Sequence, residues 1–185
     1  MENNPFGTGA VESFKDPRTV QSLAMAGEPL IKGGIEYTPT EIEHQHKVGI
    51  CTAICLTQNR AKANGKKYSA DFQYLLQKKY YDKLWYEGSS ILSALKVGKN
   101  IGFLPEELWT HTTEQDRYLP YEEYIAKLQA IPEDEIKRLA GVLNPITKEW
   151  EDGLCVDKIK GYRQVNEKDP QAIAKAVVAS EAGGL

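Results

Sequence analysis

The stretch HQHKVGICTAIC, residues 44–55, gathers two of the three histidines and two of the three cysteines of a 185-residue chain. Two kinds of chemistry use such side chains. His44, His46, Cys51 and Cys55 are enough ligands for a tetrahedral zinc ion, but structural zinc sites pair close ligands with a second pair well downstream, stapling two segments. No distant pair follows here, so no metal and no other cofactor is expected. The second chemistry is nucleophilic. Cys51 stands where irregular chain turns into a helix, and the positive end of the helix dipole favours thiolate over thiol. Gln45, six residues earlier, is an uncharged amide donor that, with the Cys51 backbone N–H, could hold the oxyanion of a tetrahedral intermediate. Gly49 lets substrate and backbone approach closely just ahead of the helix. Cys55, one turn on, reads as a small buried apolar residue.

The elements that must position these groups are mostly helical. Cys51, Ile54, Cys55 and Ala61 share a face or nearly so, and Gly65 stops that helix. Ser69 caps a second helix with Asp71 in its first turn and Phe72, Leu75, Leu76 and Lys79 at i, i+3, i+4 and i+7. The aromatic-rich YYDKLWYEGSS then leads to a third helix, ILSALKVGKN, ending at Gly98 or Gly102. In it, Tyr80, Tyr81, Trp85 and Tyr86 read as packing under a long turn. Pro105 and Pro120 bracket a loop, and residues 121–143 hold two short amphipathic helices divided by Pro132, which suits the first position of the second. NPITKEWEDG reads as an inserted loop. LCVDKIKGYRQV, residues 154–165, alternates and is rich in β-formers, so it is expected as a strand. Asp169 and Pro170 open a last helix, QAIAKAVVAS. Residues 1–43 lack period and carry glycine and proline punctuation, which predicts an extended arm docked through Leu23, Met25, Leu30, Ile31 and Tyr37.

Hydrophobic residues at 41% and charged residues at 26% describe a chain that folds. A net charge of −3 with interspersed signs offers no footprint for nucleic acid or an anionic bilayer, so neither partner is expected. No apolar run reaches the roughly 20 residues of a membrane span, and MENNPFGTGAVESF lacks the pattern of a secretory signal. An odd count of three cysteines fits a reducing compartment rather than a disulfide framework. The expected location is cytoplasmic or virion-associated.

From about residue 39 to 183 the chain resembles the papain-like cysteine peptidases, especially their divergent bacterial and phage branches. The resemblance lies in order and spacing: Gln45, Gly49 and Cys51, then the helix, YSADFQYLL, EGSSILSAL, Glu106 after Gly102, and LPY at 119–121. It implies an α-rich α+β fold of the papain-like kind, with the helical half at 44–154 and a crossing strand and helix at 155–185. These would lead into a β-rich half that is missing. It implies Cys51 as nucleophile and Gln45 as oxyanion donor. The backbone around Gly88 and Ser89, with Gly49, would bind an extended substrate peptide, and Cys155 would be non-catalytic. Of the local papain signature Cys-Gly-(Ser/Ala)-Cys-(Trp/Tyr), three positions differ here: Val48, Ile50 and Thr52.

A thiol nucleophile needs a base, and in that family histidine and asparagine follow the cysteine by about 130–150 residues, a window of roughly 181–201 here. His111 is the last histidine of the chain. His44, His46 and His111 therefore read as surface or satisfied loop residues. Two functions stay open. One is peptide-bond hydrolysis on a polypeptide substrate. The other is a catalytically inactive papain-like interaction module of a larger assembly such as a phage particle. A partner protein chain, or the missing half, is expected to cover the apolar face of the C-terminal helix.

Overall fold

The computed structural model describes residues 43–162. The expected arm before residue 43 and the helix QAIAKAVVAS lie outside the described residues. Helix α1, Cys51–Asn64, ends where Gly65 adopts φ 67° and its N–H returns to the Ala61 carbonyl, a left-handed stop that glycine takes without strain. Ser69 begins α2, Ala70–Leu76, its side chain accepting from the Phe72 N–H. All seven residues of α2 are buried, so this helix is wrapped on every side rather than on the single stripe its spacing suggests.

Beyond Leu76 the backbone widens into a π-helical turn, Gln77–Asp82, with Lys83 N–H reaching back to the Lys78 carbonyl at 2.9 Å. Such widened turns occur frequently at functional sites. Helix α3, Ile91–Asn100, is capped by Ser90, and α4, Tyr121–Gln129, and α5, Glu133–Ala140, follow. Pro132 stands at the cap of α5, one residue before the position expected. The core joins Ala53 and Ile54 of α1 to Phe72 and Leu75 of α2, Val97 of α3, Leu128 of α4 and Leu139 of α5.

Two expectations for irregular and extended chain are corrected. NPITKEWEDG, expected as an inserted loop, is the loop and second strand of a short hairpin: β1, Val142–Leu143, pairs antiparallel with β2, Trp150–Glu151. Within 154–162 the expected strand is reduced to one antiparallel bridge, Val156 with Phe103. That bridge runs beside Gly102, at φ 100°, whose missing side chain would meet the Val156 carbonyl at 2.6 Å. Asp157 continues the anchoring, accepting from Tyr68 Oη at 2.7 Å and Lys66 Nζ at 3.1 Å while its carbonyl takes Arg60 Nε at 2.9 Å. Side-chain bonds to α1 and its neighbours thus do the work a ladder was expected to do. Among the described residues no helix is long and apolar enough to cross a membrane.

One buried ion pair joins these parts. Asp71 Oδ1 accepts from Arg117 Nε at 2.8 Å and Tyr124 Oη at 2.7 Å, and Oδ2 accepts from Thr112 Oγ1 at 3.0 Å. Replacing Asp71 with Ala removes the main partner of a buried guanidinium and the acceptor of Tyr124 and Thr112, a loss worth about 3–5 kcal/mol. Urea unfolding of the D71A chain is expected to show that loss; a midpoint within error of wild type would contradict it.

Candidate functional site

Arg117 also fixes the segment that leads to Cys51. Its Nη1 donates to the His44 carbonyl at 3.0 Å, its Nη2 pairs with Glu43 at 2.5 Å, and its own carbonyl accepts from Lys47 N–H at 3.0 Å. Burial disfavours the charged guanidinium, yet Asp71 and Glu43 outweigh it and hold the charge firmly on. Burial raises the Glu43 carboxyl against the pull of Arg117. Between these anchors the chain turns sharply, with His46 at φ 52° and Val48 N–H on the Gln45 carbonyl. Gln45 is therefore placed by its neighbours' bonds. Its side-chain oxygen is buried and accepts no hydrogen bond. No hydrogen bond joins its amide to Cys51 among the described residues.

Cys51 is the first residue of α1, and the residue before it, Ile50, supplies no side-chain cap. The first N–H groups of a helix lack internal partners, and here those of Thr52 and Cys51 itself point at the sulfur. The sequence predicted a thiol pulled toward thiolate. The structure differs: Cys51 is half-buried, and desolvation outweighs those donors and raises its pKa. All three departures from the papain signature have local reasons. Val48 and Ile50 are wholly buried in the core, and Thr52 Oγ1 donates to Gln77 Oε1 at 3.0 Å. Cys55 is exposed, contrary to expectation, with Asn59 Nδ2 at 3.7 Å from its sulfur.

Gly49 brings the segment ahead of Cys51 against the chain at Glu87 and Gly88. A side chain on Gly49 would meet the Gly88 nitrogen and Glu87 Cγ at 3.0 Å each, so any larger residue would have to push the Gly88 backbone back by a few tenths of an ångström. Gly88, at φ 85°, and Ser89 are both buried. The Ser89 hydroxyl has no hydrogen-bond partner, so what this residue offers a peptide is backbone. The Gly88 carbonyl is taken by Lys78 Nζ and Tyr74 Oη. The structure thus brings Cys51, Gly49, Gly88 and Ser89 to one place, with Gln45 on the turn that enters it.

The histidines face elsewhere. His46 stacks on Tyr118 at 3.8 Å between centroids and meets Glu114 at 2.8 Å, which lowers the Glu114 carboxyl. His111 lies edge-on to Trp109 and 3.4 Å from Glu135. Neither supplies the base. Among the described residues no group of three or more His, Cys, Asp or Glu side chains is arranged to hold a metal. The Asp71–Arg117 pair and the buried Lys78 went unread in the sequence. The only signals were an i, i+4 Lys78–Asp82 spacing and an apolar run too wide for one helix face.

A separate cleft of about 440 Å³ opens on the opposite end of α1, lined by Thr57, Ala61, Tyr68, Glu106 and Trp109 among others. It lies at the C-terminal part of that helix rather than at Cys51.

No protein-family model matches the chain, and no curated protein matches it in sequence. Among solved structures it is similar to xylellain, a cysteine protease from Xylella fastidiosa, with a TM-score of 0.62 and 18% identity. The match covers 96% of this chain and 65% of that one, so the chain spans just under two thirds of that protein's length. The fold is therefore the α-rich α+β fold of the papain-like cysteine proteases.

Because burial raises the Cys51 thiol, its alkylation by iodoacetamide is expected to keep climbing through pH 8 and above, as thiolate is the reacting form. Cys155, pushed up to about 12 by burial, is expected to stay unlabelled throughout. A plateau for Cys51 at mildly acid pH in this chain would contradict the first expectation. Gly49→Ala should cost about 1–3 kcal/mol through overpacking against the Gly88 backbone, read as a lower unfolding midpoint.

Proposed function

We propose that this chain carries the nucleophile of a cysteine-type peptidase. The observation that supports this most is the contact between Gly49 and the Gly88 backbone. It sets a thiol at an uncapped helix start beside a stretch of backbone able to hold an extended peptide. The Cys51 sulfur attacks the scissile carbonyl carbon, and the carbonyl pair moves onto oxygen. The Cys51 N–H and the Gln45 side-chain N–H hold that oxyanion. Collapse breaks the C–N bond, the amine leaves with a proton, and water then releases the acyl group from sulfur.

Residues 1–42 and 163–185 hold no histidine, so the proton acceptor of this reading is a histidine outside these 185 residues, in the β-rich half that the resemblance implies. A raised thiol pKa suits that division, since the sulfur waits protonated until an imidazole reaches it. The substrate is a polypeptide. Three free cysteines fit work in a reducing compartment, in the cytoplasm or on a virion.

A second reading is a catalytically inactive interaction module of a larger assembly. Two observations favour it: His46 and His111 are engaged by Glu114 and Glu135 rather than by Cys51, and Gly88 and Ser89 are buried.

The two readings part in one assay. Hydrolysis of a peptidyl coumarin amide is measured with imidazole added as an external base. The peptidase reading expects turnover that Cys51→Ser abolishes and that Gln45→Ala lowers about 100- to 1,000-fold, the cost of one oxyanion donor. Turnover that ignores both substitutions, or none at all, supports the module.

A further inference from the structure

We propose that Lys78 is a positioning residue for the substrate peptide: its buried ammonium holds the Gly88 carbonyl inward and so aims the neighbouring backbone at the Cys51 segment. The assignment rests on the peptidase reading and deepens it. Lys78 is wholly buried, and its Nζ donates to the Gly88 carbonyl and lies 3.2 Å from Asp82 Oδ2. It also stands 4.3 Å above the Tyr86 ring and 5.3 Å from that of Tyr74. Burying an ammonium is costly unless it is paired and bonded, and these acceptors together meet that need.

The same strip is held at other points. Tyr121 Oη lies 2.7 Å from the Tyr86 carbonyl and 3.1 Å from that of Trp85, and 3.2 Å from Tyr74 Oη. Tyr74 Oη in turn reaches the Gly88 carbonyl at 3.3 Å. Asp82 Oδ1 accepts from Ser93 Oγ at 2.5 Å, tying the cluster to the first turn of α3. The carbonyls of residues 85, 86 and 88 are thus drawn to internal donors. On the other side, the Gly88 nitrogen is the backbone atom nearest the space beside Gly49.

No backbone carbonyl among the described residues accepts from the N–H groups of Gly88 and Ser89, and the Ser89 hydroxyl is buried without a partner. Unmet backbone donors beside Gly49, where an added Cβ would stand 3.0 Å from the Gly88 nitrogen, suit the carbonyl of an extended peptide. Among the described residues Lys78 is the one cation that donates to the strip's carbonyls, and Asp82 is its buried counter-ion. An apolar side chain in its place would leave the Gly88 carbonyl to the longer bond from Tyr74.

Two electrophiles test this on the full chain. A dipeptidyl vinyl sulfone needs both the thiol and the peptide edge, whereas iodoacetamide needs only the thiol. The quantity read is the ratio of their labelling rates at Cys51. Lys78→Met is expected to lower that ratio about five- to tenfold, the worth of roughly one hydrogen bond, and Lys78→Arg to restore part of it. An unchanged ratio in the Met variant overturns the assignment. If that variant does not fold, Ser93→Ala, which loosens Asp82, should give a smaller fall in the same ratio, and no fall overturns the assignment equally. If the wild-type ratio is no higher than that of the urea-unfolded chain, the peptidase reading fails and this assignment with it.

Discussion

Everything near Cys51 depends on a charge that cannot reach water. Arg117, 4% exposed in its side chain, must find acceptors inside the protein, and Asp71 at 3% is the main one. A buried pair of this kind repays its desolvation only when the remaining donors are also met. The His44 carbonyl and the Glu43 carboxylate meet them. The demand for satisfied donors therefore fixes the backbone at residues 43–47, and so the turn that delivers Gln45, Gly49 and Cys51. A stability requirement and a site-building requirement are met by one guanidinium.

At the sulfur two effects oppose one another. A helix start offers bare N–H groups and a positive dipole end, while the apolar Ile50 just ahead fastens that start into the core. Burial prevails, and the thiol is raised. In the proposed reaction the same bare N–H groups face the oxyanion, where they would be worth more in the transition state than in the resting protein. Nearby, the widened turn after α2 swings Lys78 and Asp82 inward under the 85–89 strip. The close approach at Gly49 then joins that strip to the helix start.

Local chemistry announced much of this in the sequence. Gly65, Ser69 and Pro132 mark helix ends through backbone preference and capping, which act over three or four residues and need no partner. The order and spacing of Gln45, Gly49 and Cys51 carried the fold resemblance. What stayed illegible depends on contacts distant in sequence. Asp71 looked like an ordinary first-turn acid until Arg117, 46 positions later, was seen to claim it. LCVDKIK alternates like a strand, but its neighbour Phe103 offers one bridge rather than a ladder. Cys55 was read inward because its spacing matches Ile54 and Cys51, whereas the helix turns it out to solvent. The thiol's own poise failed in the reading for a related reason: the dipole can be read from position, desolvation only from packing.

The central claim, that Cys51 forms a bond to a peptide carbonyl while the other thiols do not, is tested most directly by trapping the acyl group. The protein is incubated with a peptidyl ester, quenched in acid and mapped by mass spectrometry. The account predicts one acyl group per chain, on Cys51, and none in the Cys51→Ser protein. Acyl groups spread across Cys51, Cys55 and Cys155, or none on any of them, would contradict it.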